Sequence, residues 1–251
     1  MSGSPEPPLR IAAWSGPRNI STAMMRSFAS RGDTAVVDEP FYAHWLSVSG
    51  ADHPMRDEVL ASQSTDWRAV AAGLTGPVPA GKTVFYQKHM THHVTAGMDL
   101  AWMAATTNIF LIRSPEDVLA SYTARRSEVS LAEIGIVQQV DLFDREADRL
   151  GRAPPVIDGR DVRAAPRLTL SALCTALDLR FDEAMLAWAP GPRPEDGAWA
   201  PAWYQSLYRS TGFAPPQAPT RWEDLAPSLQ RIARQARPHY ERLARWRLGS
   251  P

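Results

Sequence analysis

The 251-residue chain has a single cysteine, Cys174, which excludes an internal disulfide. Cys174 lies in the apolar stretch Leu170–Leu179, where a helix would bury it as a small hydrophobe rather than present it as a nucleophile. The lack of a disulfide agrees with a reducing, cytoplasmic location. Lysine is nearly missing too: Lys82 and Lys88 are the only two among 27 basic residues. The rest of the positive charge is arginine, which suits bidentate phosphate contacts, although compositional bias accounts for most of these positions. Net charge is zero, so there is neither an overall basic footprint for nucleic acid nor an acidic tail. No run of about 18 apolar residues occurs, so no membrane-spanning helix is expected. The lead Met1–Pro8 has neither the charged region nor the apolar run of a signal peptide and reads as a short disordered segment. No internal repeat is visible.

What the chain does contain is alternation. Apolar or β-branched runs at Leu9–Trp14, Thr34–Asp38, Lys82–Lys88, Asn108–Ile112 and Pro155–Asp158 read as strands. Between them, Ser21–Ala29, Val94–Thr106, the segment capped by Ser114 and Pro166–Leu179 read as helices, and 226–247 closes the chain with another. Residues 47–81 are polar and loop-rich with helical pieces. Strands alternating with helices imply a mostly parallel central sheet in a three-layer α/β sandwich, and the length fits one domain over residues 9–251. The proline- and tryptophan-rich start and arginine-rich end of 189–251 suggest a covering or lid segment.

The loop Gly16-Pro17-Arg18-Asn19-Ile20-Ser21-Thr22 leaves the first strand and opens a helix. Unpaired N–H groups and the helix dipole favour an anion there, while Arg18 adds charge and Ser21 and Thr22 add hydroxyl donors. The loop lacks the Gly-Lys pair of a Walker A motif, which weakens a kinase or ATPase reading. A second segment, Arg113-Ser114-Pro115-Glu116-Asp117-Val118-Leu119-Ala120-Ser121-Tyr122, again joins a strand to a helix. There Asp117 and Ser121 share a helix face. By itself, each segment also reads as an ordinary capped helix start.

Together these segments resemble the P-loop sulfotransferase superfamily. Pro17–Thr22 is similar to its 5′-phosphosulfate loop, and Arg113, Asp117, Ser121 and Tyr122 match its 3′-phosphate segment in type and spacing. The resemblance implies a P-loop nucleotide-binding fold and 3′-phosphoadenosine 5′-phosphosulfate as donor. It also implies a small-molecule hydroxyl or amine as acceptor, with no metal. Ile20 departs from the pattern: members often carry glycine there, and a β-branched residue resists positive φ.

By the same resemblance, Arg18 would meet charge developing in the donor, and Glu39, after the second strand, would be the general base. His89 is the rival base, because Lys88-His89 loosely resembles the lysine–histidine segment of other branches and imidazole titrates near neutrality. His89, His92 and His93 lack the further ligands a metal site needs. Trp14, Trp199, Trp203 and Tyr204 are either aromatic walls or core. A P-loop kinase using ATP and magnesium, and a non-catalytic nucleotide-binding relative, stand as alternatives. Oligomeric state is not legible.

Overall fold

The apolar runs form five strands: β1 (Leu9–Ser15), β2 (Thr34–Asp38), β3 (Val84–Met90), β4 (Thr107–Ile112) and β5 (Val156–Asp158). All pair in parallel, in the order β2-β3-β1-β4-β5. The computed structural model describes residues 7–123 and 129–249; the first six residues of the expected disordered lead lie outside them. The helices are α1 (Ser21–Ala29), α2 (Tyr42–Ser49), α3 (Arg56–Ser62), α4 (Trp67–Thr75), α5 (Pro115–Thr123), α6 (Leu131–Ile134), α7 (Ile136–Leu150), α8 (Gly159–Ala164), α9 (Pro166–Ala176), α10 (Ala200–Trp203), α11 (Gln205–Tyr208) and α12 (Pro227–Ala244). Among the described residues, no helix is long and apolar enough to cross a membrane.

Helices cover both faces of the sheet, as its strands require, because they are apolar on both sides. Ile11, Ala13, Val84 and Tyr86 pack with Met24, Phe28, Leu170 and Leu173 on one face. Ala12, Trp14, Phe110 and Ile112 pack with Leu119, Val140, Phe143 and Ala236 on the other. The result is a three-layer α/β sandwich of the P-loop nucleotide-binding type.

One expectation is corrected. Val94–Thr106 is not a helix: Gly97 sits at φ 90°, and only a single 3-10 turn forms at Ala101–Ala105, started by Asp99 Oδ1 accepting from Ala101 N (2.9 Å). Conversely, α7 was not anticipated, although its buried Ile136, Gln139, Val140, Phe143 and Glu146 follow helical spacing.

Helix α7 pins the sheet where the chain turns toward the site. Gln139 Nε2 donates to Trp14 O (3.1 Å) and Leu111 O (2.9 Å), satisfying β1 and β4 near their C-terminal ends. Deeper in, Trp14 Nε1 donates to Asn108 Oδ1 (2.8 Å) while Asn108 Nδ2 donates to Glu146 Oε2 (2.9 Å). Replacing Asn108 with alanine would strip partners from a buried donor and a buried carboxylate. Urea denaturation should show a loss of about 2–4 kcal/mol.

Candidate active site

Parallel strands bring all five C-terminal ends to one edge, where open α/β sheets bind ligands. Arg18 follows β1, Glu39 follows β2, Lys88 lies two residues before the end of β3, Arg113 follows β4 and Arg163 follows β5 by way of α8. All five line one cavity of about 320 Å³, within the usual size of a small-molecule site.

The β1–α1 loop carries two non-glycine residues in the left-handed region, Arg18 (φ 64°) and Ile20 (φ 55°). Ile20 takes the positive φ that a β-branched residue resists, at a cost of about 1–2 kcal/mol. Neighbouring packing holds it there. Ile20 O accepts the first helical bond from Met24 N (3.0 Å), its side chain joins the core under α1, and glycine at 159 leaves room for it. Gly16 is required for a different reason: a Cβ there would lie 2.1 Å from Ile134 O. It backs the loop, whereas Pro17 through Thr22 line the cavity. The buried Asn19 anchors the loop to Leu111 O (3.4 Å). Helix α1 has no side-chain cap and no acidic residue in its first turn, so its leading N–H groups suit an anion.

The second anchor meets the first. Arg113 Nη1 donates to Arg18 O (2.8 Å), and Arg18 Nε donates to Ser121 Oγ (3.0 Å). Asp117 does not project as a free carboxylate. Its Oδ2 lies 4.0 Å from Arg113 Nε, and its Oδ1 accepts from Thr220 N (2.9 Å).

At the opposite end lies a buried charge cluster. Lys88 Nζ donates to Asp38 Oδ1 (2.7 Å), Glu39 Oε1 (2.6 Å) and Tyr204 OH (2.8 Å), while Tyr204 OH donates to Asp38 Oδ2 (2.6 Å). Burial disfavours the ammonium, but Asp38 and Glu39 outweigh it and hold Lys88 protonated well above its ordinary pKa. Burial pushes the Glu39 carboxyl upward, Lys88 offsets part of this, and Asp38 adds to it. Glu39 itself sits at φ 41°.

The histidines divide. His89 is corrected as a base candidate: side chains alternate along β3, so His89 faces away from Lys88. It stacks on Trp14 (4.4 Å between ring centroids) and Phe41 (5.7 Å), it does not line the cavity, and burial pushes it down to about 3. Trp14 is core, fully buried. By contrast His92 and His93 do line the cavity, with His93 Nε2 3.9 Å from Glu39 Oε2. Trp199, Trp203 and Tyr204 wall the same side. Sequence reading missed Lys88 as the partner of Glu39, His93 beside it, and His53 and Arg163 in the same cavity; the adjacency of Lys88 and His89 already implied that only one could face the site.

A parallel α/β sheet with two joined arginine-bearing anchors at its C-terminal edge is the architecture of the P-loop fold, with an edge suited to anions. The sulfotransferase domain model matches residues 9–244, and the chain belongs to that family. Three solved structures share the fold. The sulfotransferase domain from the curacin biosynthetic pathway has TM-score 0.50 at 16% identity, covering 91% of this chain and 97% of that one. The sulfotransferase domain from the Synechococcus PCC 7002 olefin synthase gives 0.53 at 17%, covering 91% and 94%. A sulfotransferase from Alicyclobacillus acidocaldarius gives 0.52 at 12%, covering 94% of each. Among curated proteins, branched-chain-amino-acid aminotransferase-like proteins 2 and 1 of Arabidopsis thaliana are 37% and 38% identical over 207 residues, which is 82% of this chain. The chain spans only 36% and 37% of the length of those relatives.

The buried imidazoles make acid stability testable. Burial lowers His89 and His92 to about 3, against 6.5 when free, and moves His93 the same way. Between those values the unfolded chain binds protons that the folded one refuses, so their contribution is complete above about pH 6.5 and is lost as pH falls toward 3. Each such histidine should steepen the loss by about 1.4 kcal/mol per pH unit. Urea midpoints recorded from pH 7.5 down to pH 5 should fall, and His92→Gln should flatten the slope.

Proposed function

We propose that this cavity binds 3′-phosphoadenosine 5′-phosphosulfate and a small-molecule acceptor, and that the protein moves the sulfuryl group to an acceptor hydroxyl or amine, releasing adenosine 3′,5′-bisphosphate. The observation that carries this reading is the meeting of Arg18 and Arg113 on one cavity beside the uncapped start of α1. These groups fit a nucleotide bearing two separate anions. The donor, when bound, supplies an activated sulfuryl group.

The roles of the chain's own residues follow. The N–H groups at the start of α1, with Ser21 and Thr22, hold the 5′ anion, and Arg113 and Ser121 hold the 3′-phosphate. Arg18 stabilises charge developing at the reacting end, the dominant contribution in transfers of this kind. Glu39 takes the acceptor's proton at Oε2, the oxygen not occupied by Lys88. Its raised pKa moves it toward the operating pH, which favours general-base work. Lys88 and Asp38 fix its orientation. Trp199, Trp203 and Tyr204 from the 189–251 covering segment exclude water on the acceptor side. Among the described residues no group of three or more His, Cys, Asp or Glu could hold a metal ion.

A kinase reading gains nothing from this geometry, since the loop has no Gly-Lys. The aminotransferase in the names of the Arabidopsis proteins does not transfer either. A Schiff-base lysine must lose its proton, whereas Lys88 is held charged by two carboxylates and Lys82 donates to Gly32 O at the surface.

Calorimetry with adenosine 3′,5′-bisphosphate tests the donor before any acceptor is known. Tighter binding of ATP–magnesium would overturn the reading. Arg113→Ala should weaken bisphosphate binding by about 1.5–3 kcal/mol. With labelled donor and a panel of phenols, alcohols and amines, Glu39→Gln should slow transfer by about 100- to 10,000-fold while bisphosphate affinity holds.

A further inference from the structure

Arg163 was singled out by no motif, yet the fold delivers it to the donor end of the cavity. It ends the short helix after β5, and β5 is the edge strand farthest from β2, which carries Glu39. Four strand spacings separate those edges, about 19 Å, so Arg163 belongs to the end of the cleft away from the proposed base. Its guanidinium is half-buried and makes no hydrogen bond or ion pair with any described residue. The other two cavity arginines do have partners: Arg113 is bonded to Arg18 O and lies near Asp117, and Arg18 is bonded to Ser121.

The electrostatics point the same way. Burial lowers both Arg113 and Arg163, and the charge of Arg163 lowers Arg113 further. Two guanidiniums repelling each other in a partly desolvated cleft, with Asp117 as the carboxylate acting on both, leave a surplus of positive charge that a dianion would neutralise. Arginine's fork matches a phosphate's oxygens in geometry as well as charge.

We propose that Arg163 is a third cation of the donor site, binding the terminal 3′-phosphate jointly with Arg113 and thereby selecting nucleotides that carry one. This rests on the donor reading above. It adds a specificity residue to that site and assigns the end of α8 a binding role.

The test compares adenosine 3′,5′-bisphosphate with adenosine 5′-monophosphate by calorimetry on the full chain, wild type against Arg163→Ala and Arg163→Lys. Arg163→Ala should weaken the bisphosphate by about 10- to 100-fold and leave the monophosphate unchanged. Arg163→Lys, which keeps the charge and loses the fork, should fall between. Without ligand, the melting temperature of Arg163→Ala should stay close to that of wild type, because the repulsion by Arg113 and the attraction by Asp117 are lost together and no hydrogen bond is removed; a merely structural role would lower it. Unchanged bisphosphate affinity in a folded Arg163→Ala, or an equal loss for both nucleotides, overturns the assignment of Arg163 alone. A wild-type protein that binds no bisphosphate overturns the donor reading and this inference with it.

Discussion

One buried ammonium organises the Glu39 end of the cavity. Lys88 is 1% exposed and is shared by Asp38, Glu39 and Tyr204. Taking a charge out of water costs several kcal/mol per ion, and a paired cluster is at best a weak source of stability. What the cluster provides is position. Lys88 joins the ends of β2 and β3 to the segment that carries Trp199 and Tyr204, so the wall of the cavity and the carboxylate facing it share one set of hydrogen bonds. Trp199 Nε1 also donates to Tyr204 OH (3.2 Å), which ties the indole into the same set.

The Arg18 end of the cavity is organised by backbone strain. Two consecutive demands fall on the β1–α1 loop: left-handed conformation at Arg18 and Ile20, and close approach to Ile134 O at Gly16. Such strain persists where the surroundings over-determine it. Here they do so through the Asn19 anchor, the first bond of α1, the contact with α6 and the hydrogen bond from Arg113 to the carbonyl of the strained Arg18 itself. The left-handed turns aim N–H groups and guanidiniums at one space, an arrangement that suits anions. The two halves of the cavity thus use different physics: polar backbone and arginine at one end, and one ammonium between two carboxylates, with imidazoles and aromatic rings, at the other.

Much of this was legible because it is local. Five apolar runs became five strands within one or two residues at most ends, and both arginine anchors fell at strand–helix junctions, since run composition and turn chemistry act over a few residues. The errors were also physical. Val94–Thr106 has helix-like apolar spacing, but Gly97 at positive φ and the Asp99 turn interrupt it. Helix α7 is also written locally, since its buried residues keep helical spacing from Ile136 to Glu146. His89 was weighed by its chemistry, when the alternation of a strand already sets it opposite Lys88.

By itself, then, the sequence determined the five strands, the strand–helix junctions that carry Arg18 and Arg113, and the residue types able to handle anions, because these depend on neighbours within one turn or one strand. Tertiary structure decided which of those residues meet. Lys88 and Tyr204 lie 116 positions apart, Arg18 and Ser121 103 apart, and no local pattern encodes such pairs. Whether a histidine sits in the cavity or in the core, and whether an arginine after β5 reaches the same cleft as one after β1, is settled only when parallel strands align their ends and each side chain takes one face of the sheet.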